Sequence, residues 1–156
     1  MNPRVSVAVA TALGVGYVPF APGTFGSLAG LVVFAAVRAS GLPAVELAAI
    51  VVVFLGGAWA ATAAETHFGH IDPGPVVIDE VLGMLVTLAF VPVSATGILV
   101  GFVLFRVFDV IKPPPCNSLE ALPGGWGVMC DDLMAGLYAY GCVRLLAWLA
   151  PAWMLA

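Results

Sequence analysis

The chain has 156 residues, of which 62% are hydrophobic and only 9% are charged, and its mean hydropathy is +1.11. Soluble domains carry about 25% charged residues, so this composition excludes an ordinary soluble enzyme and a disordered tail. The net charge of −4 excludes a nucleic-acid binder, which needs a basic surface. The sequence predicts one membrane-embedded domain over residues 1–156, built as an all-α helical bundle.

Proline and glycine divide the first half of the chain into three predicted helices. The first covers residues 3 to about 18, and the loop at residues 17–24 follows it with two prolines and a glycine. The second covers residues 27 to about 39. The third, residues 44 to about 66, has the roughly 20 residues that a membrane-spanning helix needs.

The second half of the chain contains a predicted helical hairpin. Pro92 ends its first arm, residues 79–90, and Ser94 is a suitable N-cap for its second arm, residues 95–111. A polar loop follows at residues 112–127, and a last helix runs from 131 to about 149. This gives about six helices, some of them short.

The hairpin would place the polar loops together at one end of the bundle. Eight of the nine acids then lie at that end, all except Glu46, and the plain turns and both termini lie at the other. A single membrane span over residues 81–105 is the alternative, and it would scatter the acids. This convergence favours the hairpin.

Carboxylates in so apolar a chain are costly unless they are paired, metal-bound or near water. Here they occur in groups, and hard cations such as Mg²⁺ prefer oxygen ligands. We expect each adjacent pair to divide between metal ligand and supporting residue. For any single acid the alternative is capping of a helix N-terminus. The predicted metal ligands come from the two adjacent pairs: Asp79, Glu80, Asp131 and Asp132.

Arg106, Asp109 and Lys112 are spaced three residues apart, so they share one face of a helix. The functional interpretation is a phosphate clamp, with Arg106 as a planar fork and Lys112 as a point charge. Asp109 would then orient Arg106 or bind the metal. The alternative is a self-neutralising ladder of ion pairs at a membrane interface.

A proline-rich loop that opens into a helix adds a possible anion site. Its free backbone N–H groups suit a phosphate, and the candidate binding residues are Gly23, Thr24 and Ser27. The glycine-rich residues 124–127 are expected to form a flexible approach to the same site.

Four blocks of this sequence, in order and spacing, resemble the phosphatidylglycerophosphatase A family over nearly the whole chain. They are APGTFGS at 21–27, Asp72 with VIDEVLG at 77–83, FRVFDVIKPPP at 105–115 and GGWGVMCDDLMAG at 124–136. The resemblance implies a Mg²⁺-dependent phosphatase that converts phosphatidylglycerophosphate into phosphatidylglycerol and inorganic phosphate. It also implies a phospholipid partner, a bacterial cytoplasmic membrane and a site that faces the cytoplasm.

Carried over by position, the family's acidic residues fall on Asp79, Glu80, Asp109, Asp131 and Asp132, which we take as the catalytic candidates. Its basic residues fall on Arg106 and Lys112, and its loop falls on residues 22–24.

Several alternatives stay open at the level of sequence. One carboxylate would activate water, or an Asp would act as a nucleophile and form a covalent aspartyl-phosphate. The substrate could be another lipid phosphomonoester such as phosphatidate. A non-enzymatic cation transporter or coupling subunit is the competing class. No nucleic-acid partner is expected, and a chain this small and apolar is a candidate for homodimerisation.

Overall fold

A computed structural model describes residues 3–156. Over this range the chain is all-α, as predicted, with eight helices where the sequence suggested about six, and with no named strand. A short 3₁₀ turn, Val15–Tyr17, lies between the first two helices. The helices are α1 (Pro3–Ala10), α2 (Pro22–Arg38), α3 (Pro43–Phe68), α4 (Ile78–Leu88), α5 (Ala95–Ile111), α6 (Cys116–Leu119), α7 (Trp126–Leu149) and α8 (Pro151–Met154).

The short helix α4 is the centre of the bundle. Every residue of α4 except Glu80 is buried, and α2, α3, α5 and α7 all pack around it. The close approach of α2 depends on glycine, because a Cβ at Gly26 would lie 2.7 Å from Cβ of Val77 and one at Gly30 would lie 2.8 Å from Cβ of Met84. Such tight packing fixes the position of the acidic first turn of α4.

The predicted hairpin is confirmed. Its arms are α4 and α5, and the Ser94 side chain accepts a hydrogen bond from the backbone N–H of Gly97, as an N-cap should. The turn also binds the end of the chain: the Ser94 N–H donates to the carbonyl of Met154, and the Ala156 N–H donates to that of Pro92.

Three helix boundaries differ from the sequence prediction. Helix α1 ends at Ala10 because the Thr11 hydroxyl accepts the N–H of Gly14 and turns the chain. Helix α2 begins at Pro22. Proline fits the first position of a helix because it has no N–H, and an N–H at that position would have no partner within the helix. Helix α7 begins at Trp126, five residues earlier than expected.

The glycines before α7 are packed and do not form a flexible approach to the acids. The N–H of Gly125 donates to the hydroxyl of Thr62, and a Cβ at Gly125 would lie 2.4 Å from the carbonyl oxygen of Ala58. This segment therefore anchors the start of α7 against α3.

Glu46 marks the end of the bundle opposite the acids. Its carboxylate accepts hydrogen bonds from Arg38 at 2.7 Å and from the backbone N–H of Phe90 at 2.8 Å, which joins the two plain turns as expected. The N-terminal segment was expected at the same end of the bundle as Glu46, and this expectation is wrong. Arg4 lines a cavity with His67, which lies at the C-terminal end of α3, far from Glu46.

One helix in the described range, α3, is long and apolar enough to cross a membrane by length and composition, and α2 is a shorter apolar helix. The other predicted membrane segments stay predictions.

Candidate metal and phosphate site

The acids that the sequence singled out surround one cavity of about 370 Å³. Five separate parts of the chain form it: the start of α2, the loop before α4, the first turn of α4, the end of α5 and the start of α7. Its charged lining is Asp72, Asp79, Glu80, Arg106, Asp109, Lys112, Asp131 and Asp132. Six carboxylates face two cations, so the cavity has a strong negative excess.

Asp79, Glu80 and Asp132 form the tightest group in the cavity. Each offers a carboxylate oxygen, and these three atoms lie within 4.8 Å of one another. Asp79 Oδ1, Glu80 Oε2 and Asp132 Oδ2 are also buried without a hydrogen-bond partner among the described residues, as is Oδ1 of the neighbouring Asp131. Buried charged oxygens without donors are costly unless a cation neutralises them. The donor set therefore fits a hard divalent cation with oxygen ligands.

Asp131 differs from its neighbour Asp132 in what it contacts. Its Oδ2 lies 2.6 Å from the ammonium of Lys112, while Glu120 approaches the same ammonium at 3.2 Å. Burial acts to lower the pKa of Lys112, but the hydrogen bond and charge of Asp131 outweigh it and raise that pKa above its ordinary value. Lys112 thus stays cationic at the cavity, and Asp131 holds it there.

Arg106 lies between two acids at the other side of the cavity. Its Nη1 donates to Oδ2 of Asp109, and the same nitrogen lies 3.7 Å from Oε1 of Glu80. Asp109 therefore fixes the guanidinium, which agrees with the orienting role that the spacing suggested. The planar group keeps further N–H donors for a phosphate.

The three loop residues predicted to bind phosphate are placed differently. Gly23 lines the cavity, where a Cβ would lie 2.3 Å from Oε1 of Glu80 and 3.0 Å from both terminal nitrogens of Arg106. Thr24 lies in an adjoining groove that Arg106 also lines. Ser27 is fully buried, and its hydroxyl donates to the Gly23 carbonyl at 2.8 Å, so it is not brought to the cavity.

Asp72 lines the cavity although the sequence analysis did not include it among the site residues. Desolvation raises the pKa of Asp72, and the nearby charge of Lys112 opposes that rise. The sequence places Asp72 in the series of grouped acids and in a block of the family resemblance, seven residues before Asp79, but assigns it no role.

The arrangement combines a place for a divalent cation with two fixed cationic side chains. Such a combination binds a phosphate and stabilises the negative charge that develops when one of its bonds breaks.

Comparison with known proteins agrees with this chemistry. The family model described as phosphatidylglycerophosphatase A matches residues 8–147. A Haemophilus influenzae phosphatidylglycerophosphatase A is 36% identical over 89% of this chain and 85% of its own length. The Escherichia coli phosphatidylglycerophosphatase A is 33% identical over 85% of this chain and 78% of its own length.

A Bacteroides thetaiotaomicron protein provisionally named phosphatidylinositol-3-phosphatase is 38% identical over 91% of this chain and 93% of its own length. No solved structure matches.

Proposed function

The chain belongs to the phosphatidylglycerophosphatase A family, and we propose that it hydrolyses phosphatidylglycerophosphate to phosphatidylglycerol and inorganic phosphate. The observation that carries the proposal is the group of Asp79, Glu80 and Asp132, with buried oxygens that lack partners, beside Arg106 and Lys112. A phosphomonoester dianion and a divalent cation together match this pattern of charge.

Asp79, Glu80 and Asp132 would hold Mg²⁺, which supplies positive charge to the phosphate oxygens when bound. Arg106, fixed by Asp109, binds the same phosphate through its remaining N–H donors. Lys112 adds a charge that Asp131 keeps in place. These contacts orient the phosphorus and stabilise the charge that develops on its oxygens.

In the hydrolysis a carboxylate accepts a proton from water as the water oxygen bonds to phosphorus. The bond between phosphorus and the glycerol oxygen breaks, and that oxygen takes up a proton to complete phosphatidylglycerol. In the covalent alternative an aspartate oxygen attacks first and water later hydrolyses the acyl phosphate. Rapid acid quench with labelled substrate distinguishes them, because only the covalent route leaves label on the protein, and one Asp→Asn substitution would remove it.

A second lipid phosphomonoester is also a candidate substrate, because the Bacteroides relative carries a provisional phosphoinositide phosphatase name. Headgroup preference is measured by comparing phosphatidylglycerophosphate, phosphatidylinositol 3-phosphate and phosphatidate at equal surface concentration. We expect the first to have the highest kcat/KM. The transporter alternative predicts cation flux in liposomes without phosphate release, and family membership disfavours it.

We place the protein in the cytoplasmic membrane as a multi-pass bundle whose cavity faces the cytoplasm, where the substrate is made. Large apolar side chains on several helices support this placement: Val32 is 70% exposed, Val52 68% and Trp148 76%. Lipid would cover these side chains. A homodimer within the membrane is part of the same proposal.

The test of the function is phosphate release from phosphatidylglycerophosphate in detergent micelles, with Mg²⁺ and then with EDTA. Wild type should need the metal, and Asp79→Asn should lose activity while it keeps its helical circular dichroism. Glu46→Gln is the matched control, because it changes an acid at the opposite end of the bundle. Folded wild-type protein that releases no phosphate from any lipid would contradict the proposal.

A further inference from the structure

A second concavity, of about 490 Å³, adjoins the acidic cavity between the start of α2 and the outer face of α5. We call it the α2–α5 groove. Apart from Arg106 it is lined by Thr24, Phe102, Val103, Val107, Val110 and Ile111. Arg106 and Val110 line both spaces, so the groove and the acidic cavity meet at the guanidinium.

The groove changes in character from one end to the other. At its inner end lies the cation that the phosphate would contact, and its wall along α5 is almost entirely apolar. That wall is open to the surroundings, since Val103 is 51% exposed, Val110 71% and Ile111 68%. A ligand that lies along it has a charged end and an apolar remainder, as a phospholipid does.

A larger apolar cavity, about 640 Å³, lies between α1, α2, α3 and the start of α4, and Val32 and Phe25 are among its lining residues. It has more apolar surface than the α2–α5 groove, but it shares no lining residue with the acidic cavity. The α2–α5 groove, in contrast, shares both Arg106 and Val110 with the acidic cavity. Continuity with the site therefore selects the α2–α5 groove.

We propose that the α2–α5 groove binds the diacylglycerol part of the substrate, so that the lipid enters the site sideways from the membrane past α5. This inference rests on the proposed function and adds the surface that distinguishes a lipid phosphate from a soluble one. Arg106 marks the boundary between the phosphate and the apolar part of the ligand.

The first test fills the groove with Val103→Trp, and with Val107→Trp as a second variant. The matched control is Val32→Trp, a substitution of the same size at an exposed position in the other apolar cavity. Two substrates are compared: dipalmitoyl phosphatidylglycerophosphate in mixed micelles and its deacylated headgroup in solution. We expect a rise of at least tenfold in KM for the lipid in both groove variants, with kcat within twofold of wild type. The deacylated compound should show wild-type kinetics throughout.

The second test does not depend on turnover. A non-hydrolysable phosphonate analogue of phosphatidylglycerophosphate, with a diazirine near the carboxyl end of one acyl chain, is photolysed with the wild-type protein, in which Asp109 still holds Arg106. An excess of the same phosphonate without the diazirine, but not phosphatidylethanolamine, should suppress labelling of α5 residues 102–111. Labelling of the α1–α2 face should respond to neither lipid.

Each outcome has a defined meaning. If wild type hydrolyses the lipid and the groove variants keep a normal KM, the groove proposal is wrong. The same follows if Val32→Trp is the impaired variant, or if the phosphonate suppresses labelling near Val32 and not on α5. Equal losses on both substrates would show damage to the acidic cavity and would also overturn the proposal. Wild type that hydrolyses neither compound contradicts the proposed function itself, whereas specific labelling of α5 would still show lipid bound in the groove.

Discussion

Gly23→Ala adds one methyl group at the point where α2 meets the acidic cavity. The new Cβ would lie 2.3 Å from Oε1 of Glu80 and 3.0 Å from both terminal nitrogens of Arg106. Ordinary contact begins at 3.4 Å, so the Glu80 carboxylate must move by about 1 Å, and Arg106 must move with it. Both displaced groups belong to the proposed metal and phosphate site.

The magnitude of the effect follows from that displacement. A misplacement of about 1 Å at an active site can lower the rate by about 100-fold. Stability should change little, because the displaced atoms are the ends of flexible side chains. Alanine also favours a helix over glycine by up to about 1 kcal/mol. We therefore expect kcat to fall by about 100-fold while the melting temperature moves by only a few degrees.

Gly56→Ala in α3 is the control, because no atom lies within 4 Å of its added Cβ. Phosphate release and thermal unfolding in the same detergent are measured for both variants beside wild type. Gly23→Ala protein that matches Gly56→Ala in kcat would refute the assignment of Glu80 and Arg106 to the site. Unfolded Gly23→Ala protein would refute the assumption that these side chains yield.

Three other variants test separate contacts. Asp132→Asn should raise the Mg²⁺ concentration for half-maximal phosphate release by more than tenfold, and Asp131→Asn should raise it clearly less. Equal increases in the two variants would indicate that Asp131 is a metal ligand as well. Lys112→Met leaves Asp131, which is 3% exposed, without its cation. Denaturant titrations should show that Lys112→Met lowers the free energy of unfolding by about 1–3 kcal/mol. The double variant Lys112→Met/Asp131→Asn should recover part of that loss. If it recovers none, the pairing of Lys112 with Asp131 is contradicted. Glu46→Gln should cost about 1–3 kcal/mol in the same titration while kcat stays within twofold, and a large fall in kcat would contradict the separation of the two ends.

Much of the architecture was predictable because proline, glycine and charge act locally. Pro92 and Ser94 determined the hairpin, and the grouping of acids indicated which helix ends meet. The start of α2 was misplaced because Pro22 both breaks a preceding helix and begins a following one, and sequence alone did not separate these roles. The early start of α7 depends on the contact of Gly125 with α3, which no local pattern reveals.

The site was predictable in composition but not in its division of roles. The cost of burying a carboxylate selected both Asp131 and Asp132 from the sequence. In the structure they differ in their contacts, because Asp131 contacts Lys112 and Asp132 lies beside Asp79 and Glu80. Ser27 was included for its hydroxyl, but within a helix that group reached the carbonyl four residues back. Such choices depend on helix phase and on neighbours distant in sequence.

The shortness of α4 and of the two helices beside it also affects the membrane around them. The 11 residues of α4 span about 16 Å, and α2 and α5, with 17 residues each, run about 25 Å between the two ends of the bundle. A bilayer has a hydrocarbon core of about 30 Å, which α3 with its 26 residues is long enough to cross. Beside the shorter α2 and α5 the bilayer would have to become thinner. We therefore expect lipid headgroups to be drawn down beside α2 and α5, which shortens the distance between a membrane-bound phosphate and the acids on α4.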